Sequence, residues 1–153
     1  MSGEPFTLDT NILVYSVDRT AGPRHEMAKQ IVRRAKLTPC CLTLQVISEF
    51  YAVISRKGMV PRPEAARLAE VMMDAFRTVA LSPSAVRAAL AAAAAGEASY
   101  WDALLVATAA EAGCTAILTE DLADGSLLLG VRVLNPFADD AHEAELEALL
   151  GLD

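Results

Sequence analysis

Short apolar or β-branched runs recur along this chain, each separated from the next by a longer stretch with helical signals. The runs are Phe6–Asp9, Cys40–Thr43, Thr78–Leu81, Thr115–Leu118 and Val131–Leu134. Their length and composition predict buried strands. Between them, Pro23–Lys36, Leu44–Lys57, Pro63–Phe76, Pro83–Gly96 and Ser99–Gly113 predict helices. Prolines stand at first-turn positions, and Gly58, Gly96 and Gly113 stand at or past the ends. Strands alternating with helices predict an α/β fold, a parallel sheet covered by helices on both faces. Right-handed crossovers gather the loops after the strands at one edge of such a sheet. Ligands collect there, where the strand order reverses.

At 153 residues the chain is long enough for one domain with a substantial core. Hydrophobic residues make up 54% but aromatics only 5%, so that core must be aliphatic. The N-terminal MSGEP has no basic patch leading into an apolar run, and Ala88–Ala95 is too short to span a bilayer. A soluble, cytoplasmic protein without membrane contact is expected. Cys40, Cys41 and Cys114 form no zinc spacing or disulfide framework and are expected to be small hydrophobes. A net charge of −7 argues against a nucleic-acid partner until its distribution is examined. Six of the 20 acids follow Phe137, and all 13 Lys and Arg precede them, so the body up to Ala138 is nearly neutral, with 14 acids. The acidity belongs largely to a tail, and a polyanionic substrate stays admissible.

Four acids sit where the topology places a site. Asp9 ends the first strand, Asp121 follows the fourth in ILTEDLADG, Glu49 lies one turn into the helix after the second, and Asp102 opens the helix feeding the fourth. Each has a structural explanation as well. Asp9 suits a helix N-cap, Asp102 a capping box with Ser99, Asp121 a turn and Glu49 a solvated face. Helical spacing weighs against two of these: Asp102 projects beside Val106 and Ala109, and Glu49 at the edge of the stripe Val46, Phe50 and Val53. No Lys or Arg lies one helical turn from either acid on those faces. Two like charges about 4 Å apart repel by roughly 4 kcal/mol at an effective dielectric near 20. Four carboxylates brought together therefore need a counter-cation, and a donor set of oxygens alone selects Mg²⁺ or Mn²⁺.

LDTNILVY, ISEFY around Glu49, SYWDALLVATAAEAGC and ILTEDLADG…GVRVLNPF together resemble the PIN domain, specifically the VapC-like toxins of toxin–antitoxin pairs. The resemblance spans Phe6 to about Phe137. It implies a three-layer α/β/α fold whose five-stranded parallel sheet runs in the order 3-2-1-4-5, with a PIN domain over 1–138 and an acidic C-terminal helical extension over 139–153. It implies a metal-dependent endoribonuclease in which Asp9, Glu49, Asp102 and Asp121 hold Mg²⁺ or Mn²⁺, with Thr10, Asn11 and Thr119 orienting ligands or water. RNA as substrate, a small cognate antitoxin as partner and a homodimer follow from the same resemblance. Two features depart from the pattern: AAGEAS before Tyr100, and the tail ADDAHEAELEALLGLD with Leu146, Leu149 and Leu150 on one stripe.

The alternative is a PIN-like module that binds RNA or a partner without cutting. A metal-free ribonuclease would need two histidines as acid and base, and His25 and His142 lie far apart on polar stretches. An aspartyl phosphotransferase built on Asp9 would want a second Asp two residues on, where Asn11 stands. Arg33, Arg34, Arg56 and Lys57 are candidates to track an RNA backbone, although Arg56 and Lys57 equally suit a helix C-terminus.

Overall fold

The structure, a computed structural model, describes residues 3–56, 58–139 and 142–152. In chain order the elements are β1 (Phe6–Leu8), α1 (Thr10–Val17), a 3₁₀ turn (Arg19–Ala21), α2 (Pro23–Ala35), β2 (Cys40–Thr43), α3 (Leu44–Arg56), α4 (Arg62–Ala75) and β3 (Arg77–Val79). There follow α5 (Pro83–Ala94), α6 (Tyr100–Glu111), β4 (Ala116–Leu118), β5 (Leu127–Leu128), β6 (Val131–Leu134) and α7 (Glu143–Leu149). The sheet order is β3-β2-β1-β4-β6-β5. Its first five members pair in parallel, in the order expected from sequence.

The sixth strand was not expected. β5 pairs antiparallel with β6, Leu127 opposite Arg132 and Leu128 opposite Val131. The two residues between them, Leu129 and Gly130, have φ of 52° and 79°. Positive φ at both central residues matches the right-handed twist of a two-residue hairpin, and only the glycine adopts it without steric cost.

β1 lies at the centre, and Phe6, Thr7 and Leu8 are fully buried. Alternation sends Phe6, Leu8, Cys40 and Leu42 into one cluster with Ile12, Ile31, Val46, Phe50 and Ala69 of α1 to α4. Cys41 turns the other way, against Ala109 and Cys114. On that side Ala85, Ala89 and Ala92 of α5 meet Ala103, Leu104 and Ala107 of α6. Small residues at one-turn spacing let these two helices pack closely.

The tail helix packs on the body. Leu149 and Leu150 are buried in the main cluster, with Leu146 against it. Arg132 of β6 holds Glu145 through both guanidinium branches, Nε–Oε2 at 3.1 Å and Nη2–Oε1 at 2.8 Å. Among the described residues no helix is long and apolar enough to cross a membrane.

Candidate active site

At the carboxyl end of β1 the backbone leaves the sheet and enters a helix within one residue. Asp9 continues the ladder through its amide, which donates to Leu118 O at 3.0 Å. Its extended backbone makes it the N-cap of α1, and its Oδ1 accepts the Thr10 amide at 2.6 Å. The N-cap role and the buried carboxylate are therefore one arrangement. Its other oxygen, Oδ2, accepts the Thr119 hydroxyl from the end of β4 at 2.6 Å. Thr119 Oγ1 in turn accepts the Asp121 amide at 3.1 Å. The threonine thus sets the loop that carries the second acid relative to the first.

The residues after Asp9 extend the arrangement to both sides. Thr10 Oγ1 donates to Glu49 Oε2 on α3 at 3.0 Å, and Asn11 Nδ2 donates to Asp121 Oδ2 at 3.1 Å. Asp102 sits in the first turn of α6, where its amide donates to the Ser99 cap at 3.2 Å. Its charge is felt at both Asp9 and Asp121. The first turn of α1 is the hub of the cleft.

Burial differs from the expectation of four inward-facing acids. Only Asp9 is buried; Asp102 is half-buried, and Glu49 and Asp121 are exposed. α6 is buried over most of its circumference, Ala103 to Ala109 in succession, so no single apolar face exists to enclose Asp102. Burial pushes the Asp9 carboxyl up to about 6, opposed by the hydrogen bonds from Thr119 and Thr10 and assisted by the charges of Asp121 and Asp102. Asp121 is raised too, by desolvation first and then by Asp102 and Glu120. Among the described residues no Lys or Arg forms an ion pair with Asp9, Glu49, Asp102 or Asp121.

This donor set fits a hard divalent cation in chemistry: carboxylate oxygens, with the ionisation of Asp9 and Asp121 disfavoured by burial and neighbouring charge, and no basic side chain paired with them among the described residues. The fit is one of charge rather than of a finished cage, since among the described residues no three acids are drawn together as a ready metal site.

Three participants carried no signal in the sequence. Gln45 Nε2 donates to Glu49 Oε1 at 3.0 Å and to Trp101 O at 3.1 Å, tying α3 to the start of α6. Tyr15 donates a short hydrogen bond to Glu120, which raises the phenol to about 12. Arg24 pairs with the same carboxylate at 3.1 Å and lies over the rings of Phe137 and Tyr15. Apart from the one-turn pair Gln45–Glu49, these contacts join residues too far apart in sequence to leave a local pattern.

Three of the four basic candidates lie among the described residues. Arg33 and Arg34 line a hollow of about 580 Å³ with Glu143, Leu146 and Leu150 of the tail. Arg56 ends α3, two turns beyond Glu49, and Lys57 lies outside the described residues. The histidines are engaged apart from the four acids: His25 Nδ1 with Tyr15 O at 2.8 Å, and His142 beside Asp124 and Glu145 at 3.5 and 3.6 Å.

The family model of the PIN domain matches residues 6–123. No curated protein matches the chain. Among solved structures, the chain resembles a toxin–antitoxin complex from Klebsiella pneumoniae, at 21% identity over 89% of this chain and 98% of that one, with a TM-score of 0.62. VapBC2 of Rickettsia felis, bound to a DNA fragment from its promoter, is similar over 86% and 98% of the two chains, at 13% identity and a TM-score of 0.62. VapC20 of Mycobacterium tuberculosis, a toxin that cleaves the sarcin–ricin loop, aligns over 73% and 86%, at 16% identity and a TM-score of 0.59. At these identities the likeness is one of fold.

Proposed function

This chain belongs to the PIN-domain family, and from that premise we propose that it is an endoribonuclease dependent on Mg²⁺ or Mn²⁺, the toxin of a toxin–antitoxin pair. Its partners would be RNA as substrate, a small cognate antitoxin and a second copy of itself. The solved neighbours include toxin–antitoxin complexes and an RNA-cleaving toxin, which supports the assignment. We assign the nuclease domain to residues 1–138 and the acidic helical extension to 139–153.

The observation that carries the proposal is Asp9: a carboxylate 6% exposed, within reach of the charges of Asp121 and Asp102, with no cation paired to it among the described residues. Asp9, Asp102 and Asp121 would hold the ion, and Glu49 would join directly or through water. When bound, such an ion supplies Lewis acidity, activating water at neutral pH and neutralising charge on the phosphoryl oxygens. The chain's own part is positioning. Thr10 and Thr119 clamp the two oxygens of Asp9, Asn11 aims Asp121, and Thr10 and Gln45 grip Glu49 from either side. Carboxylates fixed in this way need little rearrangement as a phosphate arrives.

Purified protein incubated with total RNA, with and without Mg²⁺, tests the assignment. Cleavage that stops with EDTA and leaves 5′-phosphate and 3′-hydroxyl ends is expected. Chelator-resistant cleavage, or 2′,3′-cyclic phosphate ends, would overturn it.

A further inference from the structure

Next to the carboxylate cleft lies a hollow of about 380 Å³, lined by Thr43, Leu44, Gln45, Leu81, Trp101 and Thr108, among others. Its rim is apolar and open. Trp101 is 64% exposed and Leu81 53%; an exposed leucine is ordinary, but tryptophan is highly buried on average. Tyr100 packs edge-on against the indole, with ring centroids 5.2 Å apart, which holds Trp101 in place while most of it stays open to solvent.

The lining is unsatisfied. Gln45 Oε1 and Thr108 Oγ1 are buried without a hydrogen-bond partner among the described residues, and Thr108 is only 4% exposed. Leaving a buried polar atom unpaired is unfavourable, so two such atoms in the lining of one hollow mark a place where a ligand with a hydrogen-bond donor gains. The orientation of Gln45 is not arbitrary. Both neighbours of its nitrogen are acceptors, Glu49 Oε1 and Trp101 O, so both N–H groups are spent and the amide offers the hollow an acceptor only.

Gln45 is also the wall shared by the hollow and the cleft, and Trp101 immediately precedes Asp102. We infer that the hollow receives an unpaired nucleobase of the RNA beside the scissile phosphate, stacked on Trp101, with its exocyclic amino group donating to Gln45 Oε1. The inference rests on the ribonuclease assignment for the identity of the ligand. Adenine, guanine and cytosine carry such an amino group. Uracil offers only a ring N–H flanked by two carbonyls, which face an acceptor poorly. Stacking on an aromatic ring is indifferent to base identity, so Trp101 supplies affinity while Gln45 and Thr108 supply preference.

Trp101 is the only tryptophan of the chain, so its fluorescence reports on the hollow without any cleavage. In the Asp9→Asn protein, titration with short single-stranded oligoadenylate or oligocytidylate is expected to quench the indole. Oligouridylate should quench less, and an abasic strand should not quench. Quenching that follows protein concentration and ignores RNA would show that a second copy covers Trp101, overturning the inference. In cleavage assays Trp101→Leu is expected to raise KM about tenfold on an RNA with the base present, by loss of one stacking contact, and to change nothing on an RNA abasic at that position. Thr108→Val should narrow the preference for amino-bearing bases while leaving the quench in place. Equal losses on both RNAs would overturn the inference too. Quenching without cleavage in the wild-type protein would sink the ribonuclease assignment alone.

Discussion

Two acidic regions of this molecule behave in opposite ways. Around the first turn of α1, Asp9 and Asp121 are both raised above the ordinary carboxylate value, first by burial and then by neighbouring carboxylates, Asp121 and Asp102 for Asp9 and Asp102 and Glu120 for Asp121. On α7, Glu145 is lowered, first by its hydrogen bonds from Arg132. The same side-chain chemistry is a liability in one place and a tether in the other. The tail's acid meets a cation of the body, Arg132 of β6, whereas among the described residues the cleft's acids are paired with none. A protein that fixes anions without neutralising them keeps the site in a state that an external cation improves.

The sharpest way to break that contrast is Asp9→Asn. It should abolish RNA cleavage, since the proposed ion would lose its most central oxygen ligand. In divalent-free buffer near neutral pH it should also stabilise the fold by up to about 3 kcal/mol, because a buried charge is removed while the Thr10 and Thr119 contacts can be kept. Cleavage assays and denaturant unfolding measure the two effects. Loss of activity together with loss of stability would mean that the ionised form of Asp9 is the one the fold prefers.

Nearly as large is the response to the ion itself. Adding Mg²⁺ or Mn²⁺ should raise the melting temperature, by an amount corresponding to about 3 kcal/mol at a hundredfold excess over Kd. Asp9→Asn should lose most of that shift, and Glu145→Gln should retain it. EDTA should return wild-type protein to its starting point. A melting curve indifferent to divalent ions would place both acidic regions in the same structural class.

These contrasts were only partly legible in the sequence. The alternation of short apolar runs and helices located every parallel strand to within a residue or two: the inner strands, buried on both faces, leave an unbroken apolar signature, and the part-buried edge strand β3 shows through its β-branched Thr78 and Val79. β5 escaped because its turn is Leu129-Gly130, where a hairpin normally advertises itself with Asn-Gly or Asp-Gly. Asp9 stood out as a charge at a strand's end, but its burial comes from Thr119 and β4, more than a hundred residues on. Helical spacing overstated the burial of Asp102 and Glu49: it assigns a direction relative to neighbours on the same helix, and α6 has apolar neighbours nearly all round. Gln45 and Trp101 meet across two helices, and a 3.1 Å contact of that kind leaves no trace in either segment.

The pH dependence of stability separates the regions by sign. For Asp9, folding raises the pKa from 3.8 to about 6 in the absence of a divalent ion. Below 3.8 both folded and unfolded chains hold the proton and the group is silent. Between 3.8 and 6 the folded chain binds more protons, so stability falls as pH rises, by up to about 3 kcal/mol, and stays at the lower level above 6. Asp121 acts in the same direction. Glu145 acts oppositely, its contribution present above the unfolded pKa and lost as pH falls. Unfolding free energies measured from pH 4 to 7 should therefore decline in wild type and flatten in Asp9→Asn. Saturating Mg²⁺ should flatten the wild-type curve as well.

The smallest expected effect tests the tail alone. Glu145→Gln removes one charge from an exposed pair whose other member keeps a second contact, because Arg132 Nη1 also donates to Gly125 O. Exposed ion pairs are screened and hold two long side chains at an entropic cost. The docking of α7 rests mainly on Leu149 and Leu150, which the substitution leaves buried. The melting temperature should fall by only about 1–2 °C for a chain of this length, and RNA cleavage should not change. A much larger fall would mean that the paired acid carries the helix and its leucines follow. A rise would mean that Glu145, like Asp9, is held at a cost, and the difference between a neutralised and an uncompensated carboxylate would then not explain why one region is scaffold and the other site.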